Sequence, residues 1–241
     1  MITDVVRQKV NATRSLLRRI AREFAPAAFA NSLGAEDMVL TDLIFTDALP
    51  IEVFTLDTGR LPNETYALLD AIAGRYGTRL RVLFPRAEAV ESYVKDHGVN
   101  GFYGSVELRK ACCHIRKVEP LRRALADKKA WIAGLRRAQS VTRSDLAVES
   151  FDAENGLMKF NPLADWSHQD VWDYIRAYSV PYNALHDRGY ASIGCAPCTR
   201  AIAAGEDIRA GRWWWENPES RECGLHVGPD GRLERERKET V

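Results

Sequence analysis

The sequence predicts an α/β protein, a parallel twisted sheet with helices on both faces. Three observations carry that expectation. Short apolar runs alternate with stretches of helical periodicity, the pattern of repeated βαβ units. Two of those runs end in turns rich in Ser, Gly, Asp and Thr that lead directly into helices. A chain of 241 residues, 46% of them hydrophobic, is also long enough for one large core.

Val5, Val6, Val10, Leu16, Leu17 and Ile20 recur at helical spacing and predict an opening amphipathic helix. Residues 27–32 read as a short buried strand, which Gly34 breaks before a helix over 36–45. A second strand spans 51–56, a helix 63–75, and a third strand 80–84, stopped by Pro85. Helical patterns follow over 88–96 and 108–126, with Pro120 as a kink or break in the latter. Further strands are expected at 131–135 and 157–163, and a helix at 167–178 with Ser167 as its N-cap. The pattern divides into an α/β body over 1–205 and a C-terminal segment over 206–241.

Composition narrows the functional classes. A net charge of +1 gives no global attraction for nucleic acid or an anionic membrane, so anion binding must come from local Arg and Lys clusters. No apolar stretch approaches the roughly 18 residues of a membrane span, and the first 22 residues lack a signal-peptide core. The five cysteines do not form a closed disulfide framework: their number is odd, and Cys112-Cys113 are adjacent. Reduced thiols without a secretory signal imply the cytoplasm.

The cysteines carry the strongest chemical signal. Cys112-Cys113 and Cys195-Ala-Pro-Cys198 are two close pairs suited to a metal, while Cys223 stands apart in Glu-Cys-Gly-Leu-His. Spacing leaves zinc and an iron–sulfur centre both open. Vicinal ligands strain a tetrahedral zinc site, whereas a cubane offers separate irons to neighbouring sulfurs. Lys117, four residues beyond Cys113, is a suitable counter-ion for an anionic cluster. Arg209, Arg212 and His226 lie near Cys223 in sequence, and cations of this kind lower a thiol pKa and make it nucleophilic.

Two strand-end turns suggest a nucleotide. Asn31-Ser32-Leu33-Gly34-Ala35-Glu36-Asp37 sits where a strand hands over to a helix, so its N–H groups and the positive helix end can cradle phosphate or sulfate. Asp57-Thr58-Gly59-Arg60 ends the next strand on the same edge, offering ribose contacts from Asp57 and Thr58 and an anion contact from Arg60. Each turn alone is also what an ordinary capped βα loop looks like. Arg136, Arg137 and Arg143 follow a strand and compete between anion contact and a solvated patch.

Taken in order, Ser-Leu-Gly-Ala-Glu-Asp, Leu-Asp-Thr-Gly-Arg, Cys-Cys-x-x-Arg-Lys, Gly-Cys-x-Pro-Cys-Thr-Arg, Gly-Arg-Trp-Trp-Trp-Glu and Glu-Cys-Gly-Leu-His resemble the thioredoxin-dependent adenylylsulfate (APS) and phosphoadenylylsulfate (PAPS) reductases. The resemblance implies an adenine-nucleotide α-hydrolase-like fold related to the PP-loop enzymes, and reduction of APS to sulfite and AMP in sulfate assimilation. It further implies a [4Fe-4S] cluster on Cys112, Cys113, Cys195 and Cys198, with Lys117 linking cluster and substrate. Arg143, Arg209, Arg212 and His226 match family positions around the active site, Cys223 becomes the nucleophile, and thioredoxin supplies the electrons. PAPS reduction, an ATP-dependent PP-loop adenylating enzyme and a zinc-binding nucleotide sensor are the alternatives. Leu61-Pro62-Asn63-Glu64-Thr65-Tyr66 departs from the family's more frequent Leu-His-Pro-Glu-Thr-Tyr. Nothing in the chain excludes a homo-oligomer.

Overall fold

The computed structural model describes residues 2–139 and 144–217. Six strands form one sheet in the order β3-β2-β1-β4-β6-β5: β1 Ala27–Ala30, β2 Ile51–Leu56, β3 Arg81–Leu83, β4 Ala130–Ile132, β5 Glu149–Asp152 and β6 Leu157–Phe160. All neighbours pair in parallel except β5, which runs antiparallel to β6 at the edge. The helices are α1 Asp4–Glu23, α2 Ala35–Thr46, α3 Asn63–Tyr76, α4 Ala87–His97, α5 Val106–Cys113, α6 Glu119–Leu125 and α7 His168–Tyr178.

Strand alternation explains the two-faced core. Ala27, Phe29, Ile51, Val53, Ala130 and Ile132 face one side, where they bury against α1, α2, α3 and α7. Ala28, Phe54 and Trp131 face the other and meet Leu121, Ala124 and Leu125 of α6. In α1, Val6, Val10, Leu17 and Ile20 form the single buried stripe that the sequence spacing predicts. Helix α2 is buried nearly all round, and its Asp42 is satisfied by the hydroxyls of Tyr76 and Tyr174 at 2.8 and 2.6 Å.

The expected strands at 131–135 and 157–163 are shorter than predicted, and β5 was not anticipated. The predicted long helix over 108–126 is α5 and α6 joined by a π-helical turn, His114–Val118. Pro120 lies just after that turn. It has no N–H to give the Arg116 carbonyl, so an uninterrupted α-helix is unavailable there. Ser167 caps α7 in a capping box with Asp170.

Residues 206–217 are bonded to the body: Arg200 N–H donates to the Gly211 carbonyl (3.0 Å) and Trp213 N–H to the Cys198 carbonyl (3.2 Å). Among the described residues no helix is long and apolar enough to cross a membrane.

Candidate functional site

The sheet reverses its winding between β1 and β4, which is where an open α/β sheet offers a ligand crevice at its carboxyl edge. A cavity of about 210 Å³ opens at this point, walled by the ends of β1, β2 and β4 and by the segment 191–194. Ser32, Gly34, Glu36, Asp37, Thr58, Lys117, Arg209 and Arg212 all line it, as does Cys195.

The turn after β1 is held by its own side chains. Asn31 Oδ1 accepts from Leu33 N–H at 2.7 Å, while Asn31 Nδ2 donates to Thr41. This places the buried Leu33 in the left-handed region at φ 64°, an uncommon conformation for a branched side chain. Gly34, by contrast, has φ −76°, and a Cβ there would meet only ordinary contacts. Its lack of a side chain therefore leaves room beside the helix end rather than serving the backbone conformation.

Asp37 Oδ2 accepts from both the backbone N–H and the hydroxyl of Ser32 at 2.6 and 2.5 Å. Burial pushes its carboxyl up to about 7 despite those bonds. Gly134 packs so tightly that a Cβ there would overlap Asp37 Oδ1. Glu36 receives two hydrogen bonds from Arg136 at 2.9 and 2.7 Å. Burial alone would raise the Glu36 carboxyl, but the Arg136 charge and hydrogen bonds outweigh it and hold the group below its usual range.

Arg136 thus faces Glu36 and the Trp166 carbonyl, and Arg137 faces Asp165 and the Leu146 carbonyl; neither lines the crevice. Asp57 closes its own turn, accepting from Gly59 N–H and the Tyr66 hydroxyl at 2.7 and 3.0 Å. Gly59 needs its missing side chain, because its φ is +70°. Arg60 donates to the Val99 carbonyl and Asn100 and lies over Phe102, and it is not among the residues lining the crevice. At the departure after Arg60, Pro62 occupies the N-cap position of α3, and Thr65 accepts from Asn183.

A second, smaller cavity lies behind the first. Cys112, Cys113, Cys195 and Cys198 all line it, together with Arg60, Arg109, Arg116 and Lys117. Lys117, Cys195 and Trp213 belong to both cavities. The π-helical turn follows Cys113 directly and supplies Arg116 and Lys117. Thr58 Oγ1 lies 3.2 Å from Cys195 Sγ, and Arg116 holds the same turn by donating to the Thr58 carbonyl at 2.6 Å.

Burial pushes the Cys198 thiol up to about 12, with Cys195 adding to the rise, and burial likewise raises Cys112. Among the described residues no group of three or more His, Cys, Asp or Glu side chains is arranged around a single metal ion. Arg109 and Glu216, both buried, form a two-bond ion pair at 2.9 and 2.8 Å, and both Arg109 and Arg212 lie over the Trp213 ring, 4.8 and 4.6 Å from its centroid. Sequence reasoning did not single out Arg109, Gln139 or His186, and it quoted Glu216 only as the end of a motif; charged and polar residues dispersed along the chain carry no local sign of burial. Arg143, Cys223 and His226 lie outside the described residues.

Comparison with known proteins agrees with this geometry. The family described as the phosphoadenosine phosphosulfate reductase domain matches residues 26–201. The adenosine 5'-phosphosulfate reductase of Allochromatium vinosum is 57% identical over 224 residues, covering 93% of this chain and 88% of that protein. The protein of the same name from Burkholderia cepacia is 54% identical, covering 94% and 90%. Among solved structures, the phosphoadenylyl-sulfate (PAPS) reductase of Candida auris superposes with a TM-score of 0.67 at 26% identity, covering 84% of this chain and 98% of that one. Yeast FAD synthetase shares the fold at a TM-score of 0.55 and 16% identity, with 82% of this chain and 67% of that one covered. On the strength of the domain match and of relatives sharing more than half their residues across nine-tenths of its length, the chain belongs to the phosphoadenosine phosphosulfate reductase family.

Proposed function

We propose that this enzyme reduces APS to sulfite and AMP in sulfate assimilation, with thioredoxin as electron donor. One observation carries the reading: Lys117, Arg209 and Arg212 meet the Ser32–Asp37 turn in one crevice, which abuts a cavity lined by four cysteines. An adenine nucleotide bearing an anionic sulfate suits that crevice. Relatives bearing the APS reductase name over nearly the whole chain support the substrate.

The four thiols fit a [4Fe-4S] cluster. All four line one cavity, where sulfurs from the end of α5 and from the 195–198 turn meet. Arg60, Arg116 and Lys117 line the same cavity, with Arg109 paired to Glu216, and their charge suits the negative charge of a tetrathiolate cluster. Cys112, Cys113, Cys195 and Cys198 would hold the cluster, which supplies a compact anionic centre when bound. Lys117 lines both cavities, so its charge would stand between that centre and the substrate sulfate.

In the reaction, the Cys223 thiolate attacks the sulfur of APS. The S–O bond to AMP breaks, AMP leaves with the bonding pair, and a cysteine S-sulfonate remains. Arg209, Arg212 and Lys117 offset the repulsion between anionic nucleophile and anionic sulfate. A thioredoxin thiolate then attacks the Cys223 sulfur, expelling sulfite, and thioredoxin's second thiol releases Cys223 as a thiolate. Both electrons come from the thioredoxin dithiol, which ends as a disulfide. With four of the five cysteines on the cluster, no resolving thiol remains in this chain.

Anaerobic assay of sulfite from APS and from PAPS, each with reduced thioredoxin, tests the reaction, donor and substrate together. Turnover of APS and an SO₃ adduct on Cys223 are expected; ATP consumption without sulfite would overturn the reading.

A further inference from the structure

His186 lies on a short 3₁₀ turn, Ala184–Arg188, pinned at both ends. Asn183 caps the turn through Leu185 N–H at 3.0 Å and donates to Thr65 of α3 at 2.9 Å. Gly189, at φ +81°, closes it by donating to the His186 carbonyl. His186 lines the substrate crevice and also a more open surface cavity bounded by α7, so it forms part of the partition between them. Its ring meets Trp172 edge-to-face, with centroids 5.3 Å apart. Nε2 is buried and has no hydrogen-bond partner. Such an orphan is unfavourable in the free protein, so a rigidly placed one in a ligand cavity is best explained by the ligand.

We propose that His186 is a substrate-contacting residue whose Nε2 binds an anionic oxygen of the bound nucleotide's phosphosulfate chain. This deepens, and rests on, the APS reading of the same crevice. Three features select an anionic oxygen over the base. His186 shares the crevice with the turn at the N-terminus of α2, where anions are favoured, and with Lys117, Arg209 and Arg212. Glu36, the nearby carboxylate, is already neutralised by Arg136. Burial holds the imidazole below its ordinary value, so it enters the complex neutral near pH 7 and gains a proton as the anion arrives.

The groups acting on His186 are Glu36 from α2, the Tyr190 backbone, His168 from α7 and Asp187 on its own turn. Asp37 lines the same crevice and titrates near 7, so a variant is needed to isolate the histidine.

The test is calorimetric titration of APS into the holoenzyme, every protein carrying Cys223→Ser so that no S-sulfonate forms and wild type referring to position 186 alone, at pH 6.5 and 8 in buffers of different ionisation enthalpy. Wild type should take up more protons on binding than H186Q, and its affinity should fall as pH rises. At pH 6.5 H186Q should bind about tenfold or more weakly, with the gap narrowing at pH 8. H186N serves as a second replacement should H186Q fold poorly. Wild-type affinity and proton count in either folded variant overturns the proposal, as does failure of both to fold, which would make His186 structural. Failure of wild type itself to bind APS instead removes the functional reading on which the proposal rests.

Discussion

The two adjoining cavities differ in how their polar groups are satisfied. Around the nucleotide crevice, carboxylates are matched within the protein: Ser32 donates twice to Asp37, and Arg136 twice to Glu36. Around the thiol cavity, Arg109 is matched by Glu216, while Arg60, Arg116 and Lys117 line it beside four cysteines whose protonated form carries no charge. The crevice is therefore organised before its ligand arrives, whereas the thiol cavity gathers positive charge that an anionic cluster would answer. The difference separates preorganisation by the fold from completion by a cofactor.

Breaking the wall of the thiol cavity should have the largest effect. Arg109→Met leaves Glu216 buried without its two-bond partner, a loss of about 3–5 kcal/mol in unfolding free energy, measurable by denaturant titration. On the crevice side, Gly134→Ala forces a methyl against Asp37. It should cost about 1–3 kcal/mol and weaken APS binding, checked by melting temperature and calorimetry. Lys117→Ala touches both cavities and should lower kcat more than it weakens APS binding, by roughly tenfold or more in the rate, read from single-turnover kinetics.

The smallest effect sharpens the crevice side. Burial raises the Asp37 carboxyl to about 7 in the folded protein from its ordinary 3.8, so its protonated form is favoured by folding. Its contribution to stability is complete below about 3.8 and is lost as pH rises through 7. Denaturation curves across that window should fall less steeply for Asp37→Asn than for wild type.

Much of this contrast was legible in the sequence, for reasons tied to particular residues. The turns after β1 and β2 announce themselves because strand-to-helix transitions at a carboxyl edge need Ser, Gly and Asp locally. The paired cysteines stand out by spacing. The identity of the arginines' partners was not legible: Arg136 turns to Glu36, 100 residues away, and Arg109 to Glu216, 107 away. Strand β5 escaped because Glu-Ser-Phe-Asp has no apolar alternation; edge pairing with β6 defines it, and its Asp152 accepts the Trp131 indole N–H. His186 escaped because a lone histidine beside an aspartate resembles any surface turn.

The π-helical turn at His114–Val118 makes chain length itself a constraint. A π-helical turn holds more residues than an α turn, so deleting one here would shift Arg116 and Lys117 relative to the paired cysteines or to α6. Lys117 could then no longer face both compartments. A single-residue deletion in this segment would thus uncouple the two halves of the molecule where a conservative side-chain replacement would not.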